Sequence, residues 1–252
     1  METSNTTYHI PHYQGDIPRL TTEQMIEVDR LMIEAYKIEL IQMMENAGRA
    51  LAILAKSKFL QGDAAHKPVI VLAGTGGNGG GALVCARRLS GWGYDVRVIL
   101  TDHTKMTPIP QHQLDILDQM KLSVGSADDL ESLPEAGLII DGIIGYSLSG
   151  NPFGTAKTMI EWANHQTTPT LSLDTPSGID LTIGTICEPA IRAKATLTLA
   201  LPKEGLFNEQ VKALRGELYL GDISVPPVLY AAPGLEITLP PIFREADILR
   251  VE

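Results

Sequence analysis

At Pro68 the chain enters an uninterrupted apolar run, Pro68-Val-Ile-Val-Leu-Ala73, which ends in six glycines within the eight residues Gly74–Gly81. An apolar run without polar alternation suits a strand buried on both faces. Glycine at this density costs backbone entropy, so the run implies a local requirement: a tight turn, or close approach of the backbone to a ligand. Gly74, Gly76 and Gly79 match GxGxxG, and a helical pattern follows from about residue 82 to 91. Strand, glycine turn and helix make one βα unit.

The unit recurs. Residues 95–100, 137–141, 169–174, 195–200 and 217–220 read as further strands, with helices near 111–120 and over 154–164 between them. Upstream, Thr21 and Gln24 stand as N-cap and N3 of a capping box. Met25, Val28, Leu31 and Met32 follow at helical spacing, and Met43, Met44, Ala47, Ala50, Leu51 and Leu54 form an apolar stripe that reads as core. Alternating strands and helices predict an α/β fold: a Rossmann-like, mainly parallel sheet with helices on both faces, in a single domain. Residues 1–20 read as an irregular arm, 21–226 as the domain, and 227–252 as a Pro-containing tail packed on it.

With 44% hydrophobic and 20% charged residues the 252-residue chain is of globular type. Its net charge of −10 repels phosphate backbones, so nucleic acid is not an expected partner. No apolar stretch has the length of a membrane span, and the polar Met1–Asp16 segment lacks a signal-peptide core. Cys85 and Cys187 have neither disulfide-framework nor zinc spacing and read as buried free thiols. The expectation is a cytoplasmic protein.

Ligands of such sheets sit beyond the carboxyl ends of the strands. Three segments fall there. In Gly74–Gly81 the backbone amides and a helix N-terminus can hold a phosphate, while the absence of Gly-Lys-Ser/Thr excludes a Walker loop. In Asp141–Gly150 an acid ends a strand, able to hold a cation, orient a ligand or cap a turn. In Asp174-Thr175-Pro176-Ser177-Gly178 a second acid ends a strand; it reads as a plain turn, or as a general acid or base if burial raises its pKa. Asp102 lies about 20 residues past Gly79, where dinucleotide folds place a ribose-binding acid. The six histidines have no metal spacing and read as surface or loop residues.

Taken together and in order, Met44-Glu-Asn-Ala-Gly-Arg-Ala50, Gly74–Val84, Asp141–Gly150 and Asp174–Gly178 resemble the signatures of the NAD(P)H-hydrate epimerases, the YjeF N-terminal family. The likeness runs from about Leu20 to Pro226. It implies a Rossmann-like homodimer that epimerises the hydrated cofactors NADHX and NADPHX for repair by a separate dehydratase. It also implies one potassium ion, with Asn78, Asp141 and Ser177 as ligands. Substrate contacts map to Gly76, Gly77, Asn78, Gly79, Gly80 and Gly81, to Gly145, Tyr146, Ser147, Leu148, Ser149, Gly150 and Asn151, and to Asp174, which is also the candidate acid/base group. The chain departs from the family pattern at Gly77 (Asn), Gly81 (Asp), Ala82 (Gly) and Ser149 (often Lys). Two other readings stay open: a non-catalytic nucleotide-binding relative, which those replacements favour, and an NAD-dependent oxidoreductase using GxGxxG and Asp102.

Overall fold

The computed structural model describes residues 8–252; residues 1–7 of the expected arm lie outside the described residues. Two helices open the fold, α1 (Thr22–Glu34) and α2 (Leu40–Lys58). Thr21 and Gln24 form the expected capping box, each side chain accepting from the other's backbone N–H. The βα alternation then runs β1 (Val69–Ala73), α3 (Gly77–Gly91), β2 (Val96–Leu100), α4 (Pro108–Gln119), β3 (Ser123–Ser126), β4 (Leu138–Gly142), α5 (Gly154–His165) and β5 (Thr170–Leu173). A short hairpin, β6 (Ile179–Asp180) and β7 (Thr185–Ile186), precedes β8 (Ala195–Leu199), α6 (Glu209–Arg215), β9 (Glu217–Gly221) and β10 (Ile248–Arg250).

Among the described residues eight strands form the main sheet, in the order β10-β9-β8-β5-β4-β1-β2-β3. All neighbours pair in parallel except β9 and β10. Strands β1 and β4 are buried along their whole length, as the apolar runs Val69–Ala73 and Leu138–Ile140 require, and in β4 the burial extends to Asp141. The chain builds outward from β1 to β3, then returns to β1's other side with β4. The crevice between β1 and β4 is therefore the switch point of the sheet, the place where doubly wound folds hold ligands.

Strands β3, β6, β7 and β10 lie outside the sequence expectation, and two further details add to it. Helix α3 begins at Gly77, not near residue 82. Glycine is a poor helix former, yet a Cβ on Gly48 of α2 would lie 2.4 Å from Val84 Cβ and 2.5 Å from the Gly81 carbonyl. The two helices touch backbone to backbone, and that packing carries the glycine turn into the helix. Part of the arm is also stitched down. Tyr13 N–H donates to Arg250 O, Leu20 N–H to Pro202 O and Glu204 N–H to Leu20 O, each at 2.9 Å. The contacts of Leu20 fasten the loop that carries Lys203. The segment beyond Pro226 supplies β10 at the sheet edge.

Candidate active site

A cavity of about 740 Å³ opens at the switch point, lined by the loops after β1, β2, β4 and β5 and roofed by α1 and α2. Its apolar wall includes Met25, Met43, Met44 and Ala47, so the stripe read as core is both core and cavity wall.

The glycines divide into two groups. A Cβ on Gly74 would lie 2.0 Å from Ile143 O, and one on Gly79 1.9 Å from Gly74 O. On Gly80 it would meet Met44 Sδ at 2.6 Å, and on Gly81 Leu173 Cδ2 at 2.7 Å. Backbone packing alone requires Gly74 and Gly79, whereas at Gly80 and Gly81 the obstruction is the end of a side chain. Gly76 has nothing within 4 Å, and Gly77 only Met44 Cε at 3.7 Å. Both line the cavity at the start of α3, where free amides and the helix dipole favour an anion.

Asn78, Gly81, Gly145, Tyr146, Ser147, Leu148, Ser149, Asn151 and Asp174 also line the cavity; Gly79, Gly80 and Gly150 do not. Gly150 is a turn residue with φ +76°. Asn151 Oδ1 is taken up by the Glu188 amide at 3.0 Å.

Beneath the cavity floor Asp141 is wholly buried at the end of β4. Its Oδ1 accepts from Ser177 Oγ at 2.5 Å and Ile143 N at 3.3 Å; its Oδ2 accepts from Ser172 Oγ at 2.7 Å and Ser177 N at 2.9 Å. Burial pushes this carboxyl up, against the pull of those donors. Among the described residues no Lys or Arg pairs with it. Asn78 packs against Gly145, where an added Cβ would lie 3.6 Å from Asn78 Oδ1, and its Nδ2 is buried without a partner. Asp141 and Ser177 bring hard oxygens into direct contact, and Asp141, hydrogen-bonded but without a cationic partner among the described residues, offers the negative charge that a hard cation would satisfy.

Asp174 stands at the end of β5 with φ +65°, an uncommon conformation for a non-glycine residue and a form of strain that collects at working sites. It is buried as required of an acid/base group, but not alone. Lys203 Nζ, 1% exposed, donates to Asp174 Oδ1 at 2.6 Å, to Leu199 O at 3.0 Å and to Thr198 Oγ1 at 3.4 Å. The Tyr146 amide donates to Asp174 Oδ2 at 3.2 Å, and Tyr146 Oη donates to Asp29 Oδ2 at 2.6 Å.

Neither Lys203 nor Asp29 stands in the sequence motifs. Lys203 follows the end of a parallel strand, so the rule that singled out Asp174 applies to it as well. Asp29 lies four residues after Met25 on the buried stripe of α1, a polar residue on an apolar face.

Asp102 lines the cavity, but its carboxylate is engaged locally. Thr104 N–H and Oγ1 donate to it at 2.8 and 2.7 Å, and Lys105 Nζ lies at 2.9 Å. The Thr104 and Lys105 hydrogen bonds hold it well below the usual carboxylate range. Cys85 and Cys187 are buried and free. No helix among the described residues is long and apolar enough to cross a membrane.

Fold and site define a class: a doubly wound α/β protein with a buried Asp–Lys pair in the cavity at the switch point of its sheet. More narrowly, the chain belongs to the family described as YjeF-related protein N-terminus, whose model matches residues 40–205. It is similar to an NAD(P)H-hydrate epimerase of Dehalogenimonas lykanthroporepellens, 41% identical over 87% of each chain. An NAD(P)H-hydrate epimerase of Entamoeba histolytica is 32% identical over 91% of this chain and 97% of that protein. The bifunctional NAD(P)H-hydrate repair enzyme Nnr of Salinibacter ruber is 32% identical, and the match spans 41% of its length. The crystal structure of yeast ynu0 superposes with a TM-score of 0.79 at 26% identity, over 93% of this chain and all of that one.

Proposed function

We propose that the chain is an isomerase, an NAD(P)H-hydrate epimerase that interconverts the R and S forms of NADHX and NADPHX in metabolite repair. The observation that carries this reading is the placing of the strained, buried Asp174–Lys203 pair in one cavity with the open α3 N-terminus, in a chain of this family.

The chemistry needs no redox step. The hydrate hydroxyl sits beside the ring nitrogen; protonation lets it leave as water, the nitrogen lone pair stabilises the cation, and water returns on the other face. The α3 amides hold the pyrophosphate. Asp174 holds or takes a proton at the hydrated carbon, and Lys203 positions its carboxylate. Asn78, Asp141 and Ser177 would hold a potassium ion, which supplies positive charge against the buried Asp141. Gly145–Asn151 form the wall over the ring. The protein works in the cytoplasm as a homodimer, beside a separate dehydratase that consumes the S form.

The test is a coupled assay: the R form of NADHX, an S-specific dehydratase and potassium, with recovery of NADH absorbance followed with and without the protein. Faster recovery supports the epimerase. Background recovery together with binding of NADP⁺ would leave the non-catalytic reading, which the absent polar groups at Gly77, Gly81 and Ser149 favour.

A further inference from the structure

Inversion at the hydrated carbon makes a demand that Asp174 alone does not meet. The hydroxyl leaves from one face of the ring and returns on the other, so a proton must be handled on each face. Besides Asp174 and the locally engaged Asp102, the cavity is lined by a third carboxyl, Asp29, on α1.

One residue joins Asp29 to Asp174. The Tyr146 amide donates to Asp174 Oδ2 and its hydroxyl to Asp29 Oδ2. Tyr146 therefore holds the two carboxyls apart by the length of its own side chain. Inverting glycoside hydrolases likewise divide the work between two separated carboxyls, one for each face of a sugar ring. The environments of the two acids differ. Asp174 is ion-paired with Lys203, whereas Asp29 pairs with no Lys or Arg among the described residues. Burial pushes Asp29 up and the Asp174 charge adds to this; the Tyr146 hydroxyl and the more distant Lys203 charge act the other way. The Tyr230 hydroxyl also lies within the field of Asp29.

We infer that Asp29, aligned by Tyr146, is the second proton carrier of the epimerisation, serving the ring face opposite Asp174; the inference rests on the epimerase reading. In one direction Asp29 gives its proton to the hydroxyl, the C–O bond breaks, water departs and the ring nitrogen shares its lone pair with the carbon. Water then attacks the opposite face, a C–O bond forms, the lone pair returns to nitrogen and Asp174 takes the released proton. Solvent restores the starting protonation, and the other epimer runs the sequence in reverse.

The experiment follows inversion and exchange of the hydroxyl oxygen with heavy-oxygen water, starting from each epimer, for the wild type and Asp29→Asn. A wild type without inversion overturns the epimerase reading and this inference with it. With an active wild type, Asp29→Asn should lower inversion about 100-fold or more and leave NADP⁺ binding unchanged. One epimer should still exchange its oxygen with retention while the other does not. Wild-type inversion in the variant, or equal loss of exchange from both epimers, overturns the assignment. Tyr146→Phe removes a hydrogen bond that holds Asp29 down, so the limb of the rate–pH profile set by Asp29 should move to higher pH; an unmoved profile also overturns it.

Discussion

Lys203 Nζ lies 2.6 Å from Asp174 Oδ1, with both side chains almost wholly withdrawn from water, at 1% and 6% exposure. The two residues come from loops after neighbouring strands, β5 and β8, and each loop opens on a residue in the left-handed region: Asp174 at φ +65° and Ala200 at φ +62°. Desolvating two charges is expensive, and removing one partner leaves the other buried without compensation. The pair is thus a point where stability and function meet.

Lys203→Met should destabilise the fold by about 3–5 kcal/mol, the usual cost of breaking a buried pair from one side. Adding Asp174→Asn should recover most of that loss while leaving the protein inactive. Urea unfolding of the single and double variants checks both; equal destabilisation in the two would contradict the coupling.

The departures from the family pattern in the glycine run are separable by packing. Gly77→Asn places its side chain in the cavity with only Met44 Cε nearby, so stability should stay within about 0.5 kcal/mol of the wild type. Gly81→Asp drives its Cβ to 2.7 Å from Leu173 Cδ2 and should cost about 1–3 kcal/mol by overpacking. Thermal melts of the two variants decide this, and a reversed order would show that the helix shifts to make room.

The contrast also marks how far the sequence could be read. The apolar runs at 68–73 and 138–140 announced β1 and β4, because burial on both faces removes polar alternation. The Thr21–Gln24 box announced α1 because a cap is a local device. Ser123–Ser126 carries no apolar signal and becomes a strand through pairing with β2 at the sheet edge. Ile248–Arg250 is too short for a period and joins antiparallel to β9. At the site, the acids that end strands were legible from the fold rule. The Lys203–Asp174 and Tyr146–Asp29 contacts join residues 29 and 117 positions apart, and no spacing encodes them.

If Asn78, Asp141 and Ser177 hold potassium, the ion stabilises the folded state by mass action. At a concentration about 100 times its Kd, potassium should add about 2.7 kcal/mol. Choline, which offers no bare charge of that size, should add nothing. Asp141→Asn should abolish the difference between the two salts. Melting temperatures at matched ionic strength provide the readout, and identical melts in both salts would remove the ion from the site.

Asp222, just past β9, gives a pH test independent of catalysis. Burial raises its carboxyl and the nearby Asp247 charge raises it further, while the hydrogen bond from Ser224 N at 2.6 Å lowers it. The folded protein therefore keeps this proton to a higher pH than the unfolded chain, so its contribution to stability falls as pH rises through the raised value. Below the ordinary carboxyl range, about pH 4, the group is protonated in both states and the penalty vanishes. Asp222→Asn can keep the Ser224 contact and cannot ionise. The variant should match the wild type near that acid limit, gain on it as pH rises, and hold a constant lead once the folded carboxyl has titrated. Asp29 and Asp141, also raised by burial, are present in both proteins and cancel in the difference. Unfolding free energies measured from acid to neutral pH check the sign; a lead that shrinks with rising pH would mean that Asp222 is stabilised as the anion.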